Sequence, residues 1–229
     1  MIKPKEFQNA FLAWINAIIR NKGADFIAID GKTLRGSYNK KDEKAAIHMV
    51  SAWSNLNSYV LGQLKTEEKS NEITAIPELL KLVDIEESIV TIDAMGTQKK
   101  IVSEIKKQKG DYILQVKGNQ PTLEKEIVEV FEKHLDSNNI KSYIETSDKK
   151  NHGRLETRKY YITDYIENIS KKDDWNGLNA IGMTESTRII DGEISTQRKY
   201  YICSIAPNVV TFANASRQHW GIYYNFCKS

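Results

Sequence analysis

Twice along this chain a short apolar run ends in an aspartate followed by a small residue and a turn. The first is FIAID (26–30) before Gly31, and the second is SIVTIDAMG (88–96) around Asp93. Runs this short, apolar throughout and bounded by turn formers suit strands covered on both faces. Around them lie further elements. AIHMVSAWS (46–54) and SYVLGQLKT (58–66) read as a hairpin across Asn55-Leu56-Asn57. EITAIPELLKLVD (72–84) has helical spacing, and Pro77 within it predicts a helix that begins near the proline. TQKKIVSEIKKQKG (97–110) reads as an amphipathic helix, DYILQVKGN (111–119) as a strand, and the segment from Pro121 to about 135 as a long helix. A hairpin followed by strand–helix–strand units implies an α/β fold with a mixed sheet and helices on its faces.

Beyond residue 135 the pattern changes. Residues 136–175 are polar, with β-like pieces at Lys141–Thr146 and Glu156–Thr163. AIGMTESTRII and QRKYYICSIA follow as strands joined at Asp191-Gly192, and the tail from Thr211 starts as a helix. The 229 residues suffice for one sizeable core, so one α/β domain with appendages is expected. An excess of 33 Lys and Arg over 30 Asp and Glu leaves a net charge of +3, which permits nucleic-acid binding without requiring it. Residues 5–20 form an amphipathic helical pattern without the features of a signal peptide, and no run reaches membrane-spanning length. A soluble, cytoplasmic protein is the expectation. Cys203 and Cys227 have no metal-ligand spacing, which fits a reducing compartment best, with a pair between them left open by the sequence.

Asp30 and Asp93 are the candidate chemical centre. Ligands of open α/β sheets bind beyond the carboxyl ends of the strands. Two carboxylates there repel unless a cation lies between them, and hard divalent ions such as Mg²⁺ or Mn²⁺ favour oxygen ligands. Such ions could activate water and stabilise a leaving oxygen in phosphodiester chemistry. The competing reading makes each Asp a turn former or a helix N-cap. Lys32, Thr33 and Arg35 follow Asp30 and are candidates for backbone phosphate contact or for a solvated turn. Lys117 and Asn119, after a strand, are similar candidates. His152, Arg154, Glu156 and Arg158 alternate, as a DNA-contacting patch or any exposed strand does. The lysines at 99, 100, 106, 107 and 109 suit a solvated helix face or a phosphate contact.

IAIDGKTLRGS (27–37), TIDAMGTQ (91–98), LQVKGNQP (114–121), HGRLETR (152–158) and RQHWGI (217–222) together resemble the successive signature blocks of H-repeat-associated insertion-sequence transposases, a branch of the DDE transposases. The resemblance runs from about residue 26 to 222. It implies a ribonuclease H-like mixed sheet flanked by helices, with an inserted β-rich element at about 136–200 and an incomplete C-terminal helix. Residues 1–22 then correspond to the end of an N-terminal associated helical region, and 23–229 to the catalytic domain. It further implies Mg²⁺- or Mn²⁺-dependent DNA strand cleavage and transfer, with Asp30 and Asp93 as the first two catalytic acids. DNA, as insertion-sequence ends, is the implied partner, with a homo-oligomer as a further expectation. Lys32, Arg35, Lys117, Asn119, His152, Arg154 and Arg217 are the implied DNA-contacting residues.

The third acid departs from the pattern. In the family a glutamate follows the His-Trp-x-Ile block. Here Tyr223 follows His219-Trp220-Gly221-Ile222, and no Asp or Glu occurs after Glu193. A neutral phenol does not replace a carboxylate. A frameshift or early stop near codon 223 would account for the change, with Glu185 or Glu193 as conceivable substitutes. The spacings are 63 residues between the aspartates (93 − 30) and 130 to Tyr223 (223 − 93). The expectation is an impaired transposase-type enzyme. The alternative is a non-catalytic DNA-binding or oligomerising remnant. A phosphatase with two aspartates two positions apart is disfavoured by Lys32 at the second position.

Overall fold

The structure, a computed structural model, describes residues 3–18, 24–33, 47–66, 72–149 and 154–219. The chain divides into two compact units, one of residues 1–111 with 218–229 and one of residues 112–217. Among the described residues no helix is long and apolar enough to cross a membrane.

The first unit contains α1 (Pro4–Ile18), β1 (Phe26–Thr33), β2 (His48–Ser54), β3 (Tyr59–Thr66), α2 (Glu72–Leu80), β4 (Ile89–Ile92) and α3 (Lys99–Lys107). Its strand order is β3-β2-β1-β4. The β2–β1 and β2–β3 pairs are antiparallel, whereas β1 and β4 run parallel, which makes the sheet mixed. Ile27, Ile29, Ala52, Ile76, Leu79, Leu80, Val90, Ile92, Ile101, Val102 and Ile105 are buried and form the bulk of the core. Gly62 lets α2 and α1 approach β3 closely. A Cβ there would meet Val83 at 3.0 Å, Leu79 at 3.2 Å and Leu12 at 3.5 Å.

Two sequence expectations need correction here. β1 does not stop at Gly31. It continues to Thr33 because the antiparallel partner extends further than the parallel one, pairing Gly31 with Val50, Lys32 with Met49 and Thr33 with His48. Lys32 and Thr33 are therefore strand residues, not turn residues. The second helix begins at Glu72, not near Pro77, which lies inside it. Proline removes one N–H from the helical ladder, but burial of Glu72, Ile76, Leu79 and Leu80 holds the first turn in place. Tertiary packing here outweighs local propensity.

Asp25, just before β1, is buried and fixes the β2–β3 turn. It accepts hydrogen bonds from the Ser54 hydroxyl and, at 2.8 Å, from the Leu56 N–H. Ser54 Oγ in turn accepts from the Asn57 N–H at 3.0 Å.

The second unit is built on β5 (Asp111–Val116), β6 (Lys141–Lys149), β7 (Arg154–Thr163), β8 (Ala180–Ile190) and β9 (Glu193–Cys203), with α4 (Pro121–His134) and α5 (Val209–Gln218). The strand order is β5-β9-β8-β7-β6, and every pair is antiparallel. Asp191 and Gly192, with φ of 51° and 86°, make the tight turn between β8 and β9. Positive φ at both central residues is what a two-residue hairpin of this twist demands. The helices cover opposite faces of this sheet. Phe212 of α5 meets Tyr160 and Tyr201 edge-on at 6.5 and 5.3 Å, and Phe131 of α4 lies 6.4 Å from Tyr200. Cys203 is a buried free thiol, raised well above its ordinary pKa by burial. Cys227 lies outside the described residues.

Candidate functional site

In the first unit, the parallel register aligns Phe26 with Ile89, Ile27 with Val90, Ala28 with Thr91 and Ile29 with Ile92. Asp30 and Asp93 directly follow the last aligned pair, Asp30 within β1 and Asp93 just after β4. Neighbouring strands lie about 4.8 Å apart, and in a parallel pair aligned residues project to the same face. Period-two alternation groups Asp30 with Ala28 and Asp93 with Thr91. The same polar row continues across the antiparallel strands, since Asp30 pairs with Ser51, which pairs with Gln63. Gln63 Nε2 donates to Ser51 Oγ at 3.0 Å. Below this row Ala28, Trp53 and Val60 form an apolar floor.

Asp93 also has the capping role of its competing reading. Its Oδ1 accepts from the Met95 N–H at 3.1 Å, at the start of a 3-10 turn over Ala94–Gly96. Gly96 is required there because a Cβ would stand 2.2 Å from Ile92 Cγ2. Capping and liganding are compatible, since a carboxylate carries about four lone-pair sites. Thr91, buried beneath Asp93, shares a hydrogen bond of 3.0 Å with His219 Nδ1. The histidine of the RQHWGI block therefore stands against the strand that carries Asp93. Trp220 and Tyr223 lie outside the described residues.

On the opposite face of β1 from Asp30, a buried carboxylate packs against Gly31. Glu72 begins α2 and is 7% exposed. A Cβ built on Gly31 would lie 2.4 Å from Glu72 Cδ and Oε1 and 2.7 Å from Oε2. Only glycine beside Asp30 leaves room for this carboxylate. The sequence carries no obvious signal for it, because a glutamate at a helix start reads as a partner of the helix dipole. The donor chemistry of Asp30 and Asp93 is oxygen alone, which suits a hard divalent ion. Among the described residues no group of three or more His, Cys, Asp or Glu side chains could hold a metal ion.

Of the phosphate candidates, Lys32 is half-buried in β1, where the neighbouring Thr33 Oγ1 and His48 Nδ1 share a hydrogen bond of 2.8 Å. Arg35 and His152 lie outside the described residues. In the second unit Lys117 and Asn119 are exposed after β5, Arg217 is exposed near the end of α5, and Arg154 opens β7 opposite Ile190. Antiparallel register adds cations that the sequence reading did not assign to DNA. Glu156 pairs with Arg188, Arg158 with Ser186, and Thr184 with Lys199, so Arg158, Arg188 and Lys199 share one face.

Glu156 is buried between two of them, 2.6 Å from Arg158 Nη2 and 3.0 Å from Arg188 Nε. Burial first, then Arg188, Lys117 and Arg158, hold the Lys199 ammonium below its ordinary pKa. Burial and the Glu145 carboxylate push the Tyr160 phenol up to about 12, with Arg158 and Arg217 opposing. Lys117 and Arg217 thus lie within electrostatic reach of this face. Glu185, one conceivable substitute acid, is engaged by Arg198 at 2.8 Å and Lys159 at 4.0 Å. Glu193, the other, is exposed where β9 leaves the hairpin turn.

Residues 21–222 match the family model of the transposase DDE domain. The chain belongs to the DDE transposase family. Its relatives include "H repeat-associated putative transposase YhhI" of Escherichia coli K12, 43% identical over 227 residues, covering 96% of this chain and 60% of that protein. "H repeat-associated putative transposase YbfD" from the same organism is 48% identical over 169 residues, covering 73% of this chain and 66% of that protein. "Putative transposase YncI" of E. coli O157:H7 is 43% identical, covering 96% and 57%. The chain spans about 60% of the length of several curated relatives it matches. Among solved structures, the NurA nuclease from Sulfolobus solfataricus aligns with 92% of this chain and 80% of its own at 9% identity, with a TM-score of 0.33, too distant to bear on function. The family membership agrees with the expected ribonuclease H-like fold, and the mixed sheet of the first unit with its helices fits that class.

Proposed function

We propose that this DDE transposase chain carries a divalent-ion site for DNA strand cleavage and transfer at Asp30 and Asp93, with residues 23–229 as the catalytic domain. The reading rests on one observation, the parallel register of β1 with β4, after whose last aligned pair each strand is followed by an aspartate. A bound Mg²⁺ or Mn²⁺ would polarise the scissile phosphodiester and favour an attacking hydroxyl or water. Asp30 would offer carboxylate oxygens from β1. Asp93 would do so from the turn after β4, where its cap to Met95 fixes the orientation of the side chain. His219, through Thr91, would steady the strand beneath. Lys32 would contact the DNA backbone from the first unit, and Arg158, Arg188 and Lys199 would do so from the second.

Tyr223 occupies the position at which the family carries its third acid. The expected output is therefore weak. The second reading, a DNA-binding protein without strand chemistry, is favoured by that tyrosine together with the cationic face of β7–β9. Incubation of the chain with supercoiled plasmid and Mg²⁺ or Mn²⁺ separates the two. The first reading expects slow nicking that Asp93→Ala abolishes while salt-dependent DNA binding persists. Nicking unchanged in Asp93→Ala would remove this site from consideration. Binding without any nicking would support the second reading.

A further inference from the structure

We infer that Glu156 is a positioning residue for DNA, holding Arg158 and Arg188 of the second unit in the arrangement that grips a phosphodiester backbone. The inference rests on the reading of the β7–β9 face as a DNA contact. An acid on such a face repels a polyanion, so its place there calls for a reason. Arg188 is the register partner of Glu156 on β8, and Arg158 lies two positions further along β7, so all three share one face. The carboxylate is 2.6 Å from Arg158 Nη2 and 3.0 Å from Arg188 Nε. Exposure rises from 6% for the Glu156 side chain to 19% for Arg158 and 42% for Arg188. The acid therefore lies beneath the two cations, where an approaching backbone meets guanidinium first.

A guanidinium is a rigid plane with five N–H donors. One contact to Glu156 fixes that plane and leaves donors on both arginines for phosphate oxygens. An arginine already held loses less freedom on binding than one moving in solvent. Short hydroxyl side chains stand beside the pair, since Ser186 aligns with Arg158 and Ser195 with Arg188. They leave room for a sugar-phosphate chain and offer further donors to it. On the same face, burial and then Arg188, Lys117 and Arg158 hold the Lys199 ammonium below its ordinary pKa. The cations are thus close enough to repel one another, and a bound phosphate would relieve that repulsion. Glu185 makes a like arrangement on the opposite face of the sheet, 2.8 Å from Arg198 and 4.0 Å from Lys159. It supplies an internal control, because neutralising it changes the net charge by the same amount.

The test measures binding of the full chain to a short DNA duplex by fluorescence anisotropy, in EDTA so that no ion at Asp30 and Asp93 contributes. Each variant is compared below its melting temperature. Loss of one negative charge would by itself tighten binding. Glu156→Gln is expected instead to weaken it about fivefold, and Glu156→Asp, which keeps the charge on a shorter stem, about twofold. Glu185→Gln should bind as wild type or tighter. The double variant Glu156→Gln/Arg188→Ala should lose well under the product of the two single losses, since both act on one contact. Affinity at or above wild type in Glu156→Gln overturns the inference, and a loss in Arg188→Ala then still keeps the face as a DNA contact. An equal loss in Glu185→Gln, or a double-variant loss equal to the product, makes Glu156 a structural residue and also overturns the inference. Wild-type affinity in Arg188→Ala overturns both the inference and the reading of the face. If Glu156→Gln does not fold, Glu156→Asp decides in its place, and wild-type affinity there overturns the inference.

Discussion

The two units handle charge in opposite ways. In the first, a parallel pair of strands is aligned up to Ile29 and Ile92, and an aspartate follows each of those residues. In the second, antiparallel ladders set opposite charges against each other. Glu156 faces Arg188 and Glu185 faces Arg198, with a surplus of cations left on one face. In the proposed site, the first arrangement would bring two like charges to a shared cation. The second is internally neutralised except where Lys199, Arg158, Arg188 and Lys117 crowd together. Site chemistry and backbone gripping thus follow from strand direction as much as from residue choice.

The comparison is most easily broken in the second unit. Glu156→Ala leaves two arginines without their shared carboxylate and should cost about 3 kcal/mol, the scale for breaking a buried ion pair. Urea denaturation followed by tyrosine fluorescence measures it, and a change under about 0.5 kcal/mol would show that the pair is dispensable. The cationic face is probed next. Arg188→Ala should weaken binding to a short DNA duplex about three- to tenfold, and Lys199→Gln by a similar factor. Each should lower the slope of log affinity against log salt by about one. Equal slopes in wild type and both variants would remove this face from DNA contact.

In the first unit, Thr91→Val deletes the hydrogen bond to His219 and should lower stability by about 1 kcal/mol in thermal melts. Smaller still is the gain expected from Asp93→Asn. Asparagine keeps the cap to Met95 but removes one of two neighbouring charges, so the metal-free chain should gain roughly 0.5 kcal/mol. The same variant should lose any stabilisation by Mn²⁺.

The lowered Lys199 pKa predicts a pH-dependent stability. Its folded pKa lies below the unfolded value of 10.5. The charged form therefore opposes folding at neutral pH, and that penalty fades as pH rises from the folded pKa towards the unfolded one. Lys199→Gln should melt slightly higher than wild type at pH 7 and no higher near pH 10.5. A difference that stays constant across that range would count against the assignment.

The legibility of the sequence follows the same divide. FIAID and SIVTID revealed both aspartates because apolar runs ending in a charge are uncommon and repeated here. Neither run reveals register, and register is what aligns the strands that each aspartate follows. Gly31 looked like a strand terminator because the longer antiparallel partner, which carries β1 on to Thr33, lies 17 or more residues away (48 − 31). Pro77 looked like a helix start because local propensity is visible in sequence and the burial of Ile76 and Leu79 is not. On the basic side, the alternation through HGRLETR was legible. Its partners Arg188 and Lys199 sit on other strands, and only the pairing of β7, β8 and β9 gathers them.

Gly182 carries a different message. A Cβ on it would stand 2.6 Å from the ring of Phe212, so α5 is keyed to β8 through an absent side chain. Neither position is then at liberty to drift alone. Relatives that enlarge residue 182 should shrink residue 212 in step, and such co-variation would be a record, written in other genomes, of how tightly this helix is seated.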